Sequence, residues 1–203
     1  MCGITGFSFE NQFIESEKIS QELLIKLLKK STHLIKHRGP DDEGSFIDKK
    51  NGIGLAHRRL SILDTSRNGR QPMHSENNQI SIVFNGEIYN FLELKKTLEK
   101  SININWFSNT DTEVLLNLYK YFIESNLGLN KFFQSLNGIF SIAIWDGLKQ
   151  ELIIARDSFG VKPLYFYKIE NAFFFASEIK ALLPFLNNFR EKSIYKKKFE
   201  ELD

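Results

Sequence analysis

Cysteine is nearly absent: the 203 residues contain one, at position 2. A single thiol excludes an internal disulfide and any zinc site built from Cys-x-x-Cys pairs. A dominant charge is missing too. Lys and Arg number 27 against 25 Asp and Glu, a surplus too mild to mark a nucleic-acid binder. The most basic run, Lys196–Lys198, runs into acidic residues and reads as a solvated tail. No apolar stretch approaches the roughly 18 residues of a membrane span. The N-terminus lacks a basic segment followed by a long apolar one, so it does not read as a signal peptide. A cytoplasmic location is expected, with no membrane or nucleic-acid partner. Repeats and low-complexity segments are also absent.

What is present is an ordinary globular balance, 42% hydrophobic and 26% charged, with 19 Phe to fill an aromatic core. The segment MCGITGFSF alternates as a strand. Apolar residues at 19, 23, 24, 27, 28, 34 and 35 recur as a helical stripe over residues 16–36. HRGPDDEG (37–44) is a loop. Strands are expected at 44–48, 52–58 and 80–85, with the polar stretch DTSRNGRQPM as a loop or lid. Helix starts with capping pairs are read at Asn90–Glu93 and Thr110–Glu113. GIFSIAIWD and ELIIARD flank a polar turn as a hairpin, and LYFY pairs with AFFFAS. SEIKALLPF predicts a short helix ending near Pro184. This order of strands and helices, with many antiparallel connections, predicts an α+β fold with sheets between helix layers. Residues 1–189 read as the domain and 190–203 as a charged tail or linker.

Cys2 becomes residue one once Met1 is removed, and a small second residue is compatible with that removal. A cysteine there has its own base: a free α-amino group, whose reference pKa of about 7.7–8.0 suits proton transfer. By position alone, Cys2 reads first as a small buried hydrophobe, a reading that the other motifs overturn. Asn85-Gly86 in FNGEIYN, taken alone, is a hairpin-turn signal; its chemical reading is an oxyanion hole, one side-chain amide beside one backbone N–H. Arg59, among the apolar Leu60 and Ile62 of AHRRLSILD, is either a structural ion pair or a hook for a carboxylate. Asp111 in NTDTE is either a carboxylate favoured by a helix N-terminus or a partner for an ammonium. Taken together the four make a site for an amino acid with a side-chain carbonyl.

MCGITGF, HRGPDDEG, AHRRLSILD, QPM, FNGEIYN, NTDTEVLL, LNGIFSIAIWD, ARDSFGVKPLY and FASEIKALL run collinearly from Met1 to about Leu183. In these nine blocks the chain resembles the N-terminal glutaminase domain of glutamine-dependent asparagine synthetases, and HRGPD favours that branch over sister amidotransferases. The resemblance implies a class II glutamine amidotransferase with the N-terminal-nucleophile hydrolase fold, a four-layer αββα sandwich of two mainly antiparallel sheets. It implies that Cys2 attacks the amide of L-glutamine to give a thioester and ammonia, with Asn85 and Gly86 as the oxyanion hole. Arg59, with Leu60 and Ile62, would bind the substrate at its carboxylate end. Glu87 and Asp111 would meet its amino group, and the loop after Arg59 would close over it. The four histidines are read as structural, against a rival in which His37 or His57 pairs with Cys2 as in a thiol protease.

In one respect the chain departs from that family: no Ser-Gly-Gly nucleotide loop of an ATP-pyrophosphatase domain occurs before Asp203. No cofactor is expected in this chain, ATP and magnesium being needed only by the missing synthetase domain. Ammonia would then pass to a separate synthetase domain or subunit, with aspartate as the default acceptor. Dimers are usual among such domains, so a homodimer is a further expectation. The alternative is a non-catalytic or partner-dependent module that binds a synthetase.

Overall fold

The computed structural model describes residues 1–16 and 18–189; the Lys196–Lys198 run and the rest of the expected tail lie outside them. The first strand, β1 (Gly3–Phe9), enters the middle of a five-stranded sheet. After α1 (Asn11–Ser16) and α2 (Gln21–Leu34), the hairpin β2 (Asp42–Asp48) and β3 (Ile53–Arg59) adds to one side of β1. The second sheet takes β4 (Met73–His74) and β5 (Ile80–Ile88), followed by α3 (Phe91–Ser101), α4 (Asp111–Glu124) and α5 (Leu129–Gln134). It is completed by the hairpin β6 (Gly138–Asp146) and β7 (Glu151–Arg156). The chain then returns to the first sheet through β8 (Tyr165–Ile169) and β9 (Ala172–Ala176) and ends in α6 (Leu183–Phe189). The strand orders are β2-β3-β1-β9-β8 and β4-β5-β6-β7, and every pairing is antiparallel.

Alternation along the strands separates three apolar layers, because successive side chains point to opposite faces. Phe7 and Phe9 of β1 and Phe174 of β9 pack with Leu24, Leu27 and Leu28 of α2 and Phe185 of α6. Ile82 and Phe84 of β5 and Ile142 and Ile144 of β6 pack under Val114, Leu115, Leu118 and Tyr119 of α4. The opposite faces meet between the sheets, where Ile4, Ile53, Leu55 and Phe175 oppose Val83, Ala143 and Trp145. This is the four-layer α+β sandwich expected from the sequence.

Several boundaries differ from the sequence reading, each for a local reason. The helical stripe over 16–36 is shorter than expected: α1 has ended at Ser16 and α2 starts only at Gln21, where the Ser20 hydroxyl accepts the Leu23 N–H at 3.1 Å. Asp42 and Glu43, expected in a loop, already belong to β2. Pro184 does not end a helix. It sits in the first turn of α6, where its missing N–H costs no hydrogen bond. Asn85-Gly86 makes no turn at all and lies inside β5, opposite Ser141 and Phe140 of β6. Both capping pairs are rearranged. The Asn90 side chain makes no cap for α3 and instead binds the Ser135 carbonyl and the Asn137 N–H. Thr110 does cap α4, accepting the Glu113 N–H at 3.2 Å. The Glu113 carboxylate, however, reaches back past the cap to the N–H groups of Phe107 and Ser108 at 2.9 and 2.7 Å.

Candidate active site

The inward-facing positions that fill the intersheet core continue past its end as polar residues. Cys2 shares the face of Ile4. His57 and Arg59 share that of Ile53 and Leu55, and Asn85 that of Val83. At this end the sheets enclose a cavity of about 300 Å³. Its lining includes Cys2, Arg59, Leu60, Ile62, Asn85, Gly86, Glu87 and Asp111, so all eight residues singled out from the sequence lie on one concave surface.

The register β1–β3 pairs Gly3 with Arg58, which brings Cys2 alongside Arg59 and Leu60. The Leu60 N–H points at Cys2 Sγ, at 3.4 Å, and the Leu60 carbonyl oxygen is 3.7 Å from it. Arg38 Nε donates to the Cys2 carbonyl at 2.9 Å, and its Nη1 donates to Glu178 at 3.1 Å. The Cys2 backbone is thereby tied to the HRGPD loop and to the segment after β9. Burial pushes the Cys2 thiol above its ordinary pKa, against the opposing pull of the Leu60 N–H and the positive charges of the N-terminus and Arg59. A thiol so placed is mostly protonated at neutral pH and needs a base to become a nucleophile. Neither histidine of the thiol-protease rival supplies one. His37 Nε2 bonds Glu178 at 2.8 Å, and His57 Nε2 donates to the Phe84 carbonyl at 3.0 Å.

Across the cavity, Asn85 is buried and gives Ser141 Oγ only a long contact of 3.4 Å from Nδ2. Gly86 must be glycine, since a Cβ there would lie 2.3 Å from the Ile139 carbonyl oxygen and 2.7 Å from Phe140 Cα. In an antiparallel pair, residues alternate between bonding the partner strand and pointing away from it. Phe84 and Ile88 send their N–H groups away from β6, to Gln71 Oε1 at 2.6 Å and Asp111 Oδ2 at 3.1 Å. Gly86, between them, has the same phase, so its N–H also points away from β6, on the cavity side.

Arg59 is held by its own loop. Its guanidinium donates to the carbonyls of Ser66, at 2.8 Å, and Asp64. Two of five N–H donors are used this way, leaving the others for a ligand. Gly69 makes room for it; a Cβ there would fall 2.0 Å from Arg59 Nη2. The far side of the loop is pinned to the α4 segment, where the Asn109 N–H donates to Asp64 Oδ2 at 3.1 Å. Asp111 opens α4 and is 5% exposed. Burial raises its carboxyl to a pKa of about 6, opposed mainly by the Ile88 N–H and reinforced by Glu87. Glu87 is exposed at the rim, beside Asp111.

The cavity also contains residues to which the sequence reading gave no role: Gln71, Thr112 and Lys162. Gln71 and Lys162 stand inside motifs quoted above, QPM and ARDSFGVKPLY, but no residue type there signals chemistry. Lys162 arrives because Asp157 accepts the N–H groups of Val161, Lys162 and Phe140 at 2.8, 2.9 and 3.2 Å, folding the loop after β7 onto β6. Among the described residues, no group of three His, Cys, Asp or Glu could hold a metal ion, and no helix is long and apolar enough to cross a membrane.

The sequence profile of the glutamine amidotransferase domain matches residues 1–201. The chain belongs to the glutamine amidotransferase domain family. It is 42% identical over 182 residues to asparagine synthetase [glutamine-hydrolyzing] 2 of Bacillus subtilis (strain 168), covering 90% of this chain and 22% of that protein. It is 37% identical over 187 residues to the amidase chry2 of Gibberella zeae, covering 91% of this chain and 27% of that one. It thus spans about a quarter of the length of these curated relatives. Among solved structures, the glutamine phosphoribosylpyrophosphate amidotransferase of B. subtilis superposes with a TM-score of 0.66 at 22% identity, over 89% of this chain and 43% of that one. At that identity the likeness speaks for the fold, and it agrees with the two-sheet sandwich.

Proposed function

We propose that this amidotransferase domain hydrolyses the side-chain amide of L-glutamine to glutamate and ammonia, with Cys2 as nucleophile. The observation that carries the reading is the convergence of a thiol, oxyanion donors, the Arg59 guanidinium and the buried Asp111 carboxylate on a single cavity. Arg59 takes the α-carboxylate of glutamine, against Leu60 and Ile62. Asp111 and Glu87 take its α-ammonium. The amide carbon then lies over Cys2 Sγ with its oxygen toward Asn85 Nδ2 and the Gly86 N–H.

With Met1 attached, the nitrogen of Cys2 is an amide and cannot accept a proton. Met1 is 59% exposed, open to an aminopeptidase. After its removal the free α-amine accepts the thiol proton, and Sγ bonds to the amide carbon. The carbonyl π electrons move to the oxygen, where two donors stabilise the charge. Collapse breaks the C–N bond. The nitrogen takes the proton from the α-ammonium and leaves as ammonia, and a thioester remains. Water, deprotonated by the same amine, adds to the thioester, and expulsion of the Cys2 thiolate releases glutamate. These steps use side chains, the Gly86 N–H, the terminal amine and water.

The acceptor of the ammonia is proposed from kinship alone: aspartate, activated by an ATP- and magnesium-dependent synthetase domain or subunit. A relative named as an amidase leaves room for another acceptor. The test is purified protein, its Met1 shown absent by mass spectrometry, incubated with glutamine. Glutamate and ammonia should appear in equal amounts. No turnover by such protein, alone or with an ATP-pyrophosphatase partner, rejects the reading in favour of a non-catalytic module.

A further inference from the structure

The strand carrying the oxyanion donors lacks a backbone partner where it matters most. The short strand β4 pairs only with Ser81 and Ile82 of β5. Continuing the register of Met73 with Ile82 would set Gln71 opposite Phe84, but there the main chain has already left the sheet. The Phe84 peptide groups, facing that open edge, are bonded instead by two side chains. Gln71 Oε1 accepts the Phe84 N–H at 2.6 Å, and His57 Nε2 donates to the Phe84 carbonyl at 3.0 Å.

We infer that Gln71 and His57 are positioning residues for the amide-hydrolysing reaction, standing in for a missing strand and fixing the Phe84–Asn85 peptide so that Asn85 Nδ2 and the Gly86 N–H converge on the oxyanion. This deepens the proposed function and rests on it. The Phe84 carbonyl belongs to the peptide plane that leads into Asn85, and the Gly86 N–H has the same phase two residues later. A tilt at Phe84 therefore turns both donors. The amide of Gln71 has a defined orientation, because the Phe84 N–H can only meet its oxygen. Its Nε2 then donates to Thr112 Oγ1 at 3.1 Å, next to Asp111, so one side chain joins the oxyanion strand to the substrate-ammonium site. His57 contributes from the opposite sheet, two residues before Arg59. Burial pushes its pKa down to about 3, so the ring is neutral with the proton on Nε2. Its Nδ1 is buried without a hydrogen-bond partner among the described residues. An apolar residue would pack there without that cost, and the bond to Phe84 is what the imidazole adds.

Donor misalignment lowers kcat and leaves substrate binding to Arg59 and Asp111. The test is a double-mutant cycle in the Met1-free chain: Gln71→Met and His57→Phe, each alone and combined with Asn85→Ala. Each single variant should lower kcat about tenfold or more with KM within about threefold. It should weaken an aldehyde analogue of glutamine, which Cys2 converts to a tetrahedral adduct, by a similar factor. In the Asn85→Ala background the same substitution should cost several-fold less, since one of the donors it aims is already gone. Fold-losses that simply multiply, or a fall in thermal midpoint with kcat unchanged, would overturn the inference. Met matches the length of the buried Gln71 side chain, so Gln71→Met decides alone if His57→Phe does not fold. An inactive parent chain takes the proposed function and this inference down together; an active parent with unaffected variants removes only the inference.

Discussion

The two ends of the layer between the sheets are built from the same strands and the same alternation, yet they do opposite things. At one end Ile53, Leu55, Val83, Ala143, Trp145 and Phe175 close an apolar core. At the other, two or four residues further along those strands, the inward positions are Cys2, His57, Arg59 and Asn85. The apolar end is interchangeable in chemistry but not in volume. In the polar end, volume matters less than the direction of each donor. The cavity is therefore a continuation of the core in which burial raises the Cys2 thiol and the Asp111 carboxyl instead of adding stability.

The sharpest way to separate the ends is to truncate one residue in each. Cys2→Ala should abolish glutamate production while leaving the unfolding free energy within about 1 kcal/mol. Phe175→Ala, in the apolar layer, should cost about 3–5 kcal/mol of stability and keep turnover wherever the protein remains folded. Urea titrations and a glutamate assay on the same samples read both. Residual turnover in Cys2→Ala would remove Cys2 as the nucleophile. A marginal stability loss in Phe175→Ala would mean the layer is less tightly packed than its burial implies.

A smaller effect lies at the boundary between the ends. Asn85→Ala should reduce kcat about 100- to 1000-fold with little change in KM, while the neighbouring Val83→Ala should act mainly on stability. An Asn85→Ala enzyme with a raised KM and unchanged kcat would make Asn85 a binding residue, not an oxyanion donor.

Which parts were legible in the sequence follows the same division. Alternation and Phe-rich strands disclosed the sheets, because burial imposes a two-residue period. The chemistry-bearing residue types at Cys2, Arg59, Asn85 and Asp111 were visible because their groups are costly to bury without a purpose. The place of Asn85-Gly86 inside a strand was not visible from local propensity, which favours a turn; the pairing of β5 with β6 overrides it, and Gly86 is there because β6 crowds its Cα. Gln71, His57 and Lys162 were illegible for another reason. Their placement depends on a strand that stops two residues early and on a loop folded back by Asp157, features set by tertiary pairing and marked by no local signal. Pro184 was misread in direction only, since proline suits the first turn of a helix as well as the residue beyond its end.

The mildest comparison concerns Asp111, where the polar end's demand for function opposes stability most directly. Its pKa of about 6 exceeds that of an unfolded aspartate, so the folded state holds the proton more tightly. Stability from this group is present at low pH and is lost as pH rises to about 6; above that the ionised, buried carboxylate is a constant cost. In the proposed reaction the substrate ammonium needs the ionised form. KM for glutamine should therefore rise as pH falls through about 6, by about tenfold between pH 7 and pH 5. Asp111→Asn keeps an acceptor for the Ile88 N–H and removes the charge. At pH 7 it should stabilise the fold by about 1–3 kcal/mol while raising KM and flattening its pH dependence. A variant that is less stable at pH 7, or whose KM still climbs below pH 6, would show that Asp111 serves as a carboxylate at the N-terminus of α4 and that the ammonium is held elsewhere, with Glu87 the next carboxylate to test.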